Sequence, residues 1–372
     1  MSTNRHEYSI DAFFALVRAG LWENCDVFQV SGFKFQDSVD WEKVYQMAGE
    51  QSVLGLVTAG IEWYKKLNVN LNLDLELLLQ MIGEVQMIEQ QNKAMNQFIE
   101  KLVENMREAG IYTLLVKGQG IAQCYERPLW RPSGDVDFFL SNDNYEKAKR
   151  FLLPLSSGNK PERLYSKEMG MSIDPWYVEV HGTLRTGLST RIDKTIDSVQ
   201  NDVFYSGSAR SWVNGKTQVF LPAPDCDVFF VFTHFIKHFY KEGGVSIRQL
   251  CDWCRLLWAY KDSLNHDILK SRIRKAGLMS EWKAFAALAV EYLGMSVKAM
   301  PLYSSDKKWK IKAKKIVAFI LNGREWHRFK DTIAVGKIFP MSTLLFLPGI
   351  LLGVNWLKLK ERICGFNNVR GF

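Results

Sequence analysis

Two carboxylates stand two residues apart in the stretch Arg131-Pro132-Ser133-Gly134-Asp135-Val136-Asp137-Phe138-Phe139-Leu140. Side chains alternate across an extended strand, so Asp135 and Asp137 project from one face while Val136 points to the other. Like charges on one face repel, a divalent cation relieves that repulsion, and hard oxygen donors suit Mg²⁺. Gly134 lets the backbone turn ahead of the pair, and Phe138, Phe139 and Leu140 bury the strand that carries it. Downstream, Val178-Glu179-Val180-His181 repeats the alternation, with Glu179 and His181 on a shared face. Paired beside the first strand, it would bring Glu179 to the same centre as a third carboxylate. Upstream, the apolar run Ile111–Val116 delivers Lys117-Gly118-Gln119-Gly120 to a helix start. Exposed backbone N–H groups there can hold phosphate, and a lysine adds charge. The bland alternative for the acidic pair is a solvated strand edge, which would leave Gly134 and the third acid as coincidences.

These residues need elements to position them. Residues 1–110 read as mostly helical. Met95, Phe98, Ile99, Leu102, Val103 and Met106 recur at spacings of three and four, and Gly110 is a natural C-terminal cap. The pattern changes at 111. Strands are expected over 111–116, 135–140 and 176–181, with another near 164–172 and an edge strand over 217–221. Ser141-Asn142-Asp143 supplies the N-cap of a helix from about Tyr145 to Leu153. Asp225 reads as the N-cap of a long apolar helix, Cys226 to about Tyr240, broken at Gly243-Gly244. A second helix runs from about Ser246 to Tyr260, with helical periodicity continuing to about Trp326.

Two side-chain pairs within those helices could do chemistry. His234 and His238 share a helix face. The sequence His234-Phe235-Ile236-Lys237-His238 lacks the glutamate that the His-Glu-x-x-His zinc motif places after its first histidine, so a face turned to a cleft is favoured over a zinc site. Cys251-Asp252-Trp253-Cys254 lies inside a helix and not at its start, so these read as buried free thiols.

The ordered set Leu115-Val116-Lys117-Gly118, Tyr125, Arg131-Pro132-Ser133-Gly134-Asp135-Val136-Asp137 and Val178-Glu179-Val180-His181 resembles the nucleotidyltransferase superfamily with the DNA polymerase β-like fold. Within it, the chain looks most like the bacterial family of uncharacterised nucleotidyltransferases, a likeness that extends to His234, His238, Arg248 and Asp252 and covers roughly 105–260. The resemblance implies an α+β fold: a polymerase β-like mixed-sheet core (105–222) between an N-terminal helical region (1–104) and a helical domain (223–337), with an apolar and basic tail (338–372). It implies Mg²⁺-dependent transfer of a nucleoside monophosphate from an NTP to a hydroxyl of a small molecule, glycan or protein, with pyrophosphate released. Asp135, Asp137 and Glu179 would be the catalytic and metal-binding residues, holding two Mg²⁺ ions, with Mn²⁺ as the alternative. Lys117, Gly118, Gln119, Gly120, Arg131, Ser133 and Gly134 would bind the nucleotide, and His181, His234, His238, Arg248 and Asp252 would position substrate. The family's turn usually reads Gly-Ser or Gly-Gly; here it is Gly118-Gln119, and a glutamine side chain would crowd the β- and γ-phosphates. That departure motivates the alternative of an inactive nucleotide- or partner-binding protein on the same fold.

The 372 residues carry a net charge of +8, unevenly spread. Residues 301–372 hold 14 Lys+Arg against four acids, leaving residues 1–300 at −2. A basic stripe along the catalytic body is therefore absent from the sequence, which disfavours a nucleic-acid partner and an RNA or tRNA nucleotide-adding activity. The polar N-terminus reads as no secretory signal, and six cysteines read as reduced cytosolic thiols. Ile338–Leu357 is uncharged for 20 residues, but Pro348-Gly349 at its centre, the dilution by Ser342, Thr343 and Asn355, and basic flanks argue against a span. Two readings remain: peripheral contact of residues 307–362 with an anionic membrane at its inner face, or a hairpin that packs back on the body.

Overall fold

In the computed structural model, the residues described are 2–23, 35, 39–205, 209–241, 244–322, 327–353 and 356–364. Seven strands lie between two mainly helical regions: β1 (Leu114–Val116), β2 (Asp135–Phe139), β3 (Gly158–Asn159), β4 (Glu168–Ile173), β5 (Trp176–His181), β6 (Ala209–Asn214) and β7 (Thr217–Pro222). Five form a mixed sheet in the order β1-β2-β5-β4-β3. β2 pairs antiparallel with β1 and parallel with β5, and this central pair sets Asp137 opposite Glu179 and Phe139 opposite His181. The fold is α+β, as the sequence implied.

The 34-residue helix Leu75–Glu108 buries Met95, Ile99, Leu102, Val103 and Met106 along one face. They pack with Val136, Phe138, Val178 and Val180, the sheet side chains that point away from the acids. Beyond the helix, Gly110 takes φ +71°. Its N–H bonds the Arg107 carbonyl and the Ile111 N–H bonds that of Met106, the paired closure that a left-handed glycine permits. This closure draws Ile111 out of the expected strand, so β1 begins only at Leu114. The N-terminal helices, helix Pro224–Lys241 and the later helices share a second apolar cluster reaching from Ala12 to Ile350.

Two expectations change. The strand over 217–221 exists, but it pairs with β6 as a separate hairpin and not at the edge of the main sheet. Asp225 does not cap its helix; Pro224 opens it, and Asp225 sits in the first turn, where its Oδ1 accepts the Asn265 N–H. Gly243, half of the expected break, lies outside the described residues, whereas Gly244 has φ +95°. The sequence expectations also omitted the helix Thr190–Tyr205, whose buried Ile192, Ile196, Val199 and Val203 follow helical spacing. Ser246 caps helix Ile247–Ala259 through a reciprocal capping box with Gln249.

Residues 340–351 form a helix with Pro348 inside it. Thr343, Phe346, Gly349 and Ile350 are buried, while Met341, Leu344 and Leu345 are exposed. A Cβ on Gly349 would lie 2.5 Å from the carbonyl oxygens of Gly187 and Leu188, so glycine is what seats this helix on the body. No helix among the described residues is long and apolar enough to cross a membrane.

Candidate active site

The parallel pairing of β2 with β5 places Asp137 and Glu179 side by side, and β1 ends opposite Asp137 at Val116, just before Lys117. Lys117 adopts φ +58°, ψ −149°, a backbone region that disfavours every residue with a Cβ. From that turn its Nζ donates to Asp137 Oδ1 at 2.8 Å, and His181 Nε2 donates to the same oxygen at 2.7 Å. His181 Nε2 also lies 3.6 Å from Glu179 Oε2.

These contacts set the electrostatics. Burial works to raise the Asp137 carboxyl, but Lys117 and His181 outweigh it and hold the group well below the usual carboxylate range. Asp135, at the exposed start of β2, is pushed upward, first by repulsion from Asp137 and then by desolvation. Glu179 is raised by burial and then by Asp137. Burial would lower Lys117, yet Asp137, Asp135 and Glu179 together raise it. The lysine is therefore the counter-ion of three carboxylates.

A cavity of about 370 Å³ opens over this group. It is lined by Lys117, Gly118, Arg131, Ser133, Gly134, Asp135, Asp137, Glu179, His181, His234, His238, Arg248 and Asp252, every sequence-predicted site residue except Gln119 and Gly120. Gln119 turns inward, 1% exposed, where its Nε2 donates to Asn92 Oδ1 at 2.6 Å. The expected crowding of phosphates by its side chain is thus corrected: the side chain does not enter the cavity. Gly120 is buried as well, and a Cβ there would meet Leu221 of β7 at 2.9 Å. Gly134 has open space around it and no left-handed φ, so chain geometry does not demand glycine there; the enforced turn is at Lys117.

Arg131 and Asp252 form a buried fork. Arg131 Nε and Nη2 each reach an Asp252 oxygen at 2.7 Å, and Nη1 donates to Ser133 Oγ at 2.7 Å and to the Pro132 carbonyl. Tyr125 donates its hydroxyl proton to Asp252 Oδ1 at 2.8 Å, and Arg248 Nη1 stands 3.7 Å from Oδ2. The fork fixes the loop Arg131–Gly134 that leads into Asp135. His234 and His238 face each other with their Nε2 atoms 3.1 Å apart, and burial followed by nearby Lys117 pushes His234 well below the ordinary imidazole value. One ring must donate and the other accept, so the pair holds at least one neutral imidazole. Cys251 and Cys254 are buried, with thiols raised by desolvation.

For a metal ion, the donors of Asp137, Glu179 and His181 lie within 4.8 Å of one another, the one such group among the described residues. Asp135 stands outside that trio on the same cavity wall. Two carboxylate donors and an adjoining third that is raised by like-charge repulsion fit a hard divalent cation. Sequence reading missed Arg163 and Arg185, which line the cavity from outside the expected elements, and Glu168, which lines it from the strand expected near 164–172. It missed Lys237 too, although that residue lies three positions after His234, within reach of the same helix face.

A mixed sheet that gathers carboxylates and a lysine at one end of its central strands belongs to the class of phosphoryl-group-handling α+β enzymes. The family model described as "Uncharacterised nucleotidyltransferase" matches residues 37–294. The chain belongs to that family and is an enzyme of the nucleotidyltransferase class. The match reaches well into the N-terminal helices, beyond the 105–260 segment that carries the motif likeness. Comparison with curated proteins and with solved structures gives no match.

Proposed function

We propose that this protein transfers a nucleoside monophosphate from an NTP, ATP among the candidates, to a hydroxyl acceptor, with divalent-cation dependence. The observation that carries the proposal is the pairing of Asp137 with Glu179 across β2 and β5, with Lys117 bound to Asp137 at one wall of a cavity. Asp135, Asp137, Glu179 and the adjoining His181 would hold Mg²⁺ or Mn²⁺. Two bound ions would supply charge neutralisation on the triphosphate and on both the entering and leaving oxygens of an in-line displacement. Lys117 and the Gly118 backbone hold the triphosphate, with Ser133 and Gly134 on the opposite loop. Arg131 contributes by fixing that loop, because its guanidinium is engaged by Asp252, Ser133 and Pro132. The acceptor oxygen forms a bond to the α-phosphorus, the α–β P–O bond breaks, and pyrophosphate leaves. Glu179, beside Asp137 across the β2–β5 pairing, is the carboxylate placed to take the hydroxyl proton.

The test is incubation of the full chain with each α-³²P-labelled NTP, Mg²⁺ and a cell lysate. A labelled species accompanied by pyrophosphate, both absent with Asp137→Ala, is the expected result. Nucleotide binding with no transfer in any fraction would favour the inactive binding protein, and label on RNA would identify a nucleotide-adding enzyme.

A second proposal concerns location. Met341, Leu344, Leu345 and Leu352 are 62–76% exposed along one side of the helix seated by Gly349, and Lys337, Lys358 and Lys360 flank it. Each basic residue near an anionic leaflet contributes about 1 kcal/mol, and the apolar side chains suit interfacial burial. This supports peripheral contact with the inner face of a membrane. Co-sedimentation with anionic vesicles at low salt is expected; recovery entirely in the supernatant refutes it.

A further inference from the structure

Arg248 stands in the first turn of helix Ile247–Ala259, on the wall of the cavity. The backbone around it is already engaged. The Ile247 N–H donates to Gln51 Oε1 at 3.0 Å and the Arg248 N–H to the Gln51 carbonyl at 3.3 Å, while Ser246 and Gln249 close the capping box. These bonds pin the start of the helix and occupy its first N–H groups, so it is the Arg248 side chain that meets the cavity. Other cations of the lining hold carboxylates at hydrogen-bond length: Lys117 holds Asp137, Arg131 holds Asp252, Arg163 holds Glu168 and Arg185 holds Asp197. Among the described residues, the Arg248 guanidinium makes no hydrogen bond, and its ionic neighbour is Asp252 Oδ2 at 3.7 Å. That oxygen already accepts Arg131 Nη2 at 2.7 Å, and Oδ1 accepts Arg131 Nε and the Tyr125 hydroxyl. One carboxylate thus stands between two guanidiniums, and Arg131 occupies both of its oxygens. The electrostatics agree. Burial works to lower Arg131, but Asp252 outweighs it and the group is raised; Arg248 is lowered, first by burial and then by repulsion from Arg131, and Asp252 does not make this good. The Arg248 side chain is 28% exposed, against 3% for Arg131, so its donors are open to the cavity while its charge is only partly met.

Position within the site names the anion. Helix Ile247–Ala259 packs on helix Gly118–Ala122, and Tyr125, just beyond that short helix, reaches Asp252. Arg248 therefore belongs with the Lys117–Gly118 turn that follows β1, whereas Glu179 stands on β5, at the other flank of β2. We propose that Arg248 receives the terminal phosphate of the NTP and is the residue that makes the site select a triphosphate over a mono- or diphosphate. Its planar guanidinium presents paired N–H groups that match two phosphate oxygens, and the charged end group supplies the anion that Asp252, held by Arg131, does not. The proposal rests on the nucleotidyl-transfer reading and adds to it the residue that distinguishes the length of the phosphate chain.

The experiment titrates the full-length protein with Mg²⁺ and ATP, CTP, GTP or UTP, and then with the di- and monophosphate of whichever binds most tightly. Wild type is expected to favour the triphosphate. Arg248→Gln should weaken triphosphate binding at least about tenfold, the equivalent of one hydrogen bond to a charged group, and leave the monophosphate unchanged, so that the discrimination collapses. A purely structural role would weaken all three nucleotides alike, and that result overturns the proposal, as does an unchanged triphosphate affinity in Arg248→Gln. A variant that binds the triphosphate as wild type does but no longer labels an acceptor would place Arg248 at the acceptor, and overturns it too. Should Arg248→Gln fail to fold, Arg248→Lys takes its place, since it keeps the charge and loses the fork: a loss confined to the triphosphate supports the proposal, and any other result overturns it. Wild type that binds no nucleotide overturns the nucleotidyl-transfer reading itself, whereas wild type that binds while Arg248→Gln discriminates equally well overturns only the role of Arg248.

Discussion

Replacing Asp252 by alanine removes the acceptor for two Arg131 N–H groups at 2.7 Å, for the Tyr125 hydroxyl at 2.8 Å, and the charge nearest Arg248. Arg131 is 3% exposed at its side chain and Asp252 5%, so water cannot replace what is lost. Removing one partner of such a buried pair costs about 3–5 kcal/mol, because the remaining charge is stranded. An orphaned Tyr125 hydroxyl adds about 1–3 kcal/mol. Against a domain stability of about 5–15 kcal/mol, Asp252→Ala should remain folded in buffer only marginally and should unfold at much lower urea. The double variant Arg131→Met/Asp252→Leu, which removes both charges, should recover a large share of that loss. The pH dependence has a definite sign. Burial opposes ionisation of Asp252, but Arg131 wins and holds its carboxyl below the ordinary value. Its stabilisation is therefore complete above the unfolded carboxylate value of about 3.9 and is lost as pH falls below that value toward the folded one. Urea midpoints for the wild type, the single and the double variant across pH 3 to 7 are the assay. A single-variant loss under about 1 kcal/mol, or no recovery in the double variant, would refute the reasoning.

Three further predictions follow from local geometry. Gln119→Ala removes the partner of Asn92 Oδ1 and should cost about 1 kcal/mol in urea unfolding, with Mg²⁺·ATP affinity unchanged in titration calorimetry because the side chain is outside the cavity. Gly349→Ala drives a Cβ to within 2.5 Å of two backbone oxygens; it should destabilise by about 1–3 kcal/mol and expose residues 340–351 to protease, whereas unchanged cleavage kinetics would mean that this helix is not seated by Gly349. Desolvation pushes Cys124 and Cys226 up to about 11 and Cys251 and Cys254 upward as well. All four should resist iodoacetamide at pH 8 in the folded protein and react once it is unfolded, as peptide mass mapping would reveal.

The strand carrying Asp135 and Asp137 was legible because period-two alternation is a local property, and the register then followed the apolar side chains Val136 and Phe138 into the core. The cap at Gly110 was legible for the same reason. The pairing of β6 with β7, and their exclusion from the main sheet, was not, since strand partners are chosen by long-range packing that no local pattern encodes. Gln119 shows the limit most directly. Its place in a glycine-rich turn suggested a side chain among phosphates, yet Asn92, 27 residues earlier in sequence, draws it inward.

The sequence by itself determined the acidic pair, the third carboxylate, the family and the helical or extended state of the segments that carry them, because spacing within one element fixes which side chains share a face. Tertiary structure decided the environments. Asp135 and Asp137 are near-identical in sequence context, but one is exposed and raised while the other is buried and held low by Lys117 and His181. Arg131 and Asp252, expected at the nucleotide and the substrate, line the cavity and also form a buried pair that anchors the loop leading into Asp135. Charges change their role with solvent access and with the partner that folding brings within 3 Å, and both are products of contacts between residues far apart along the chain.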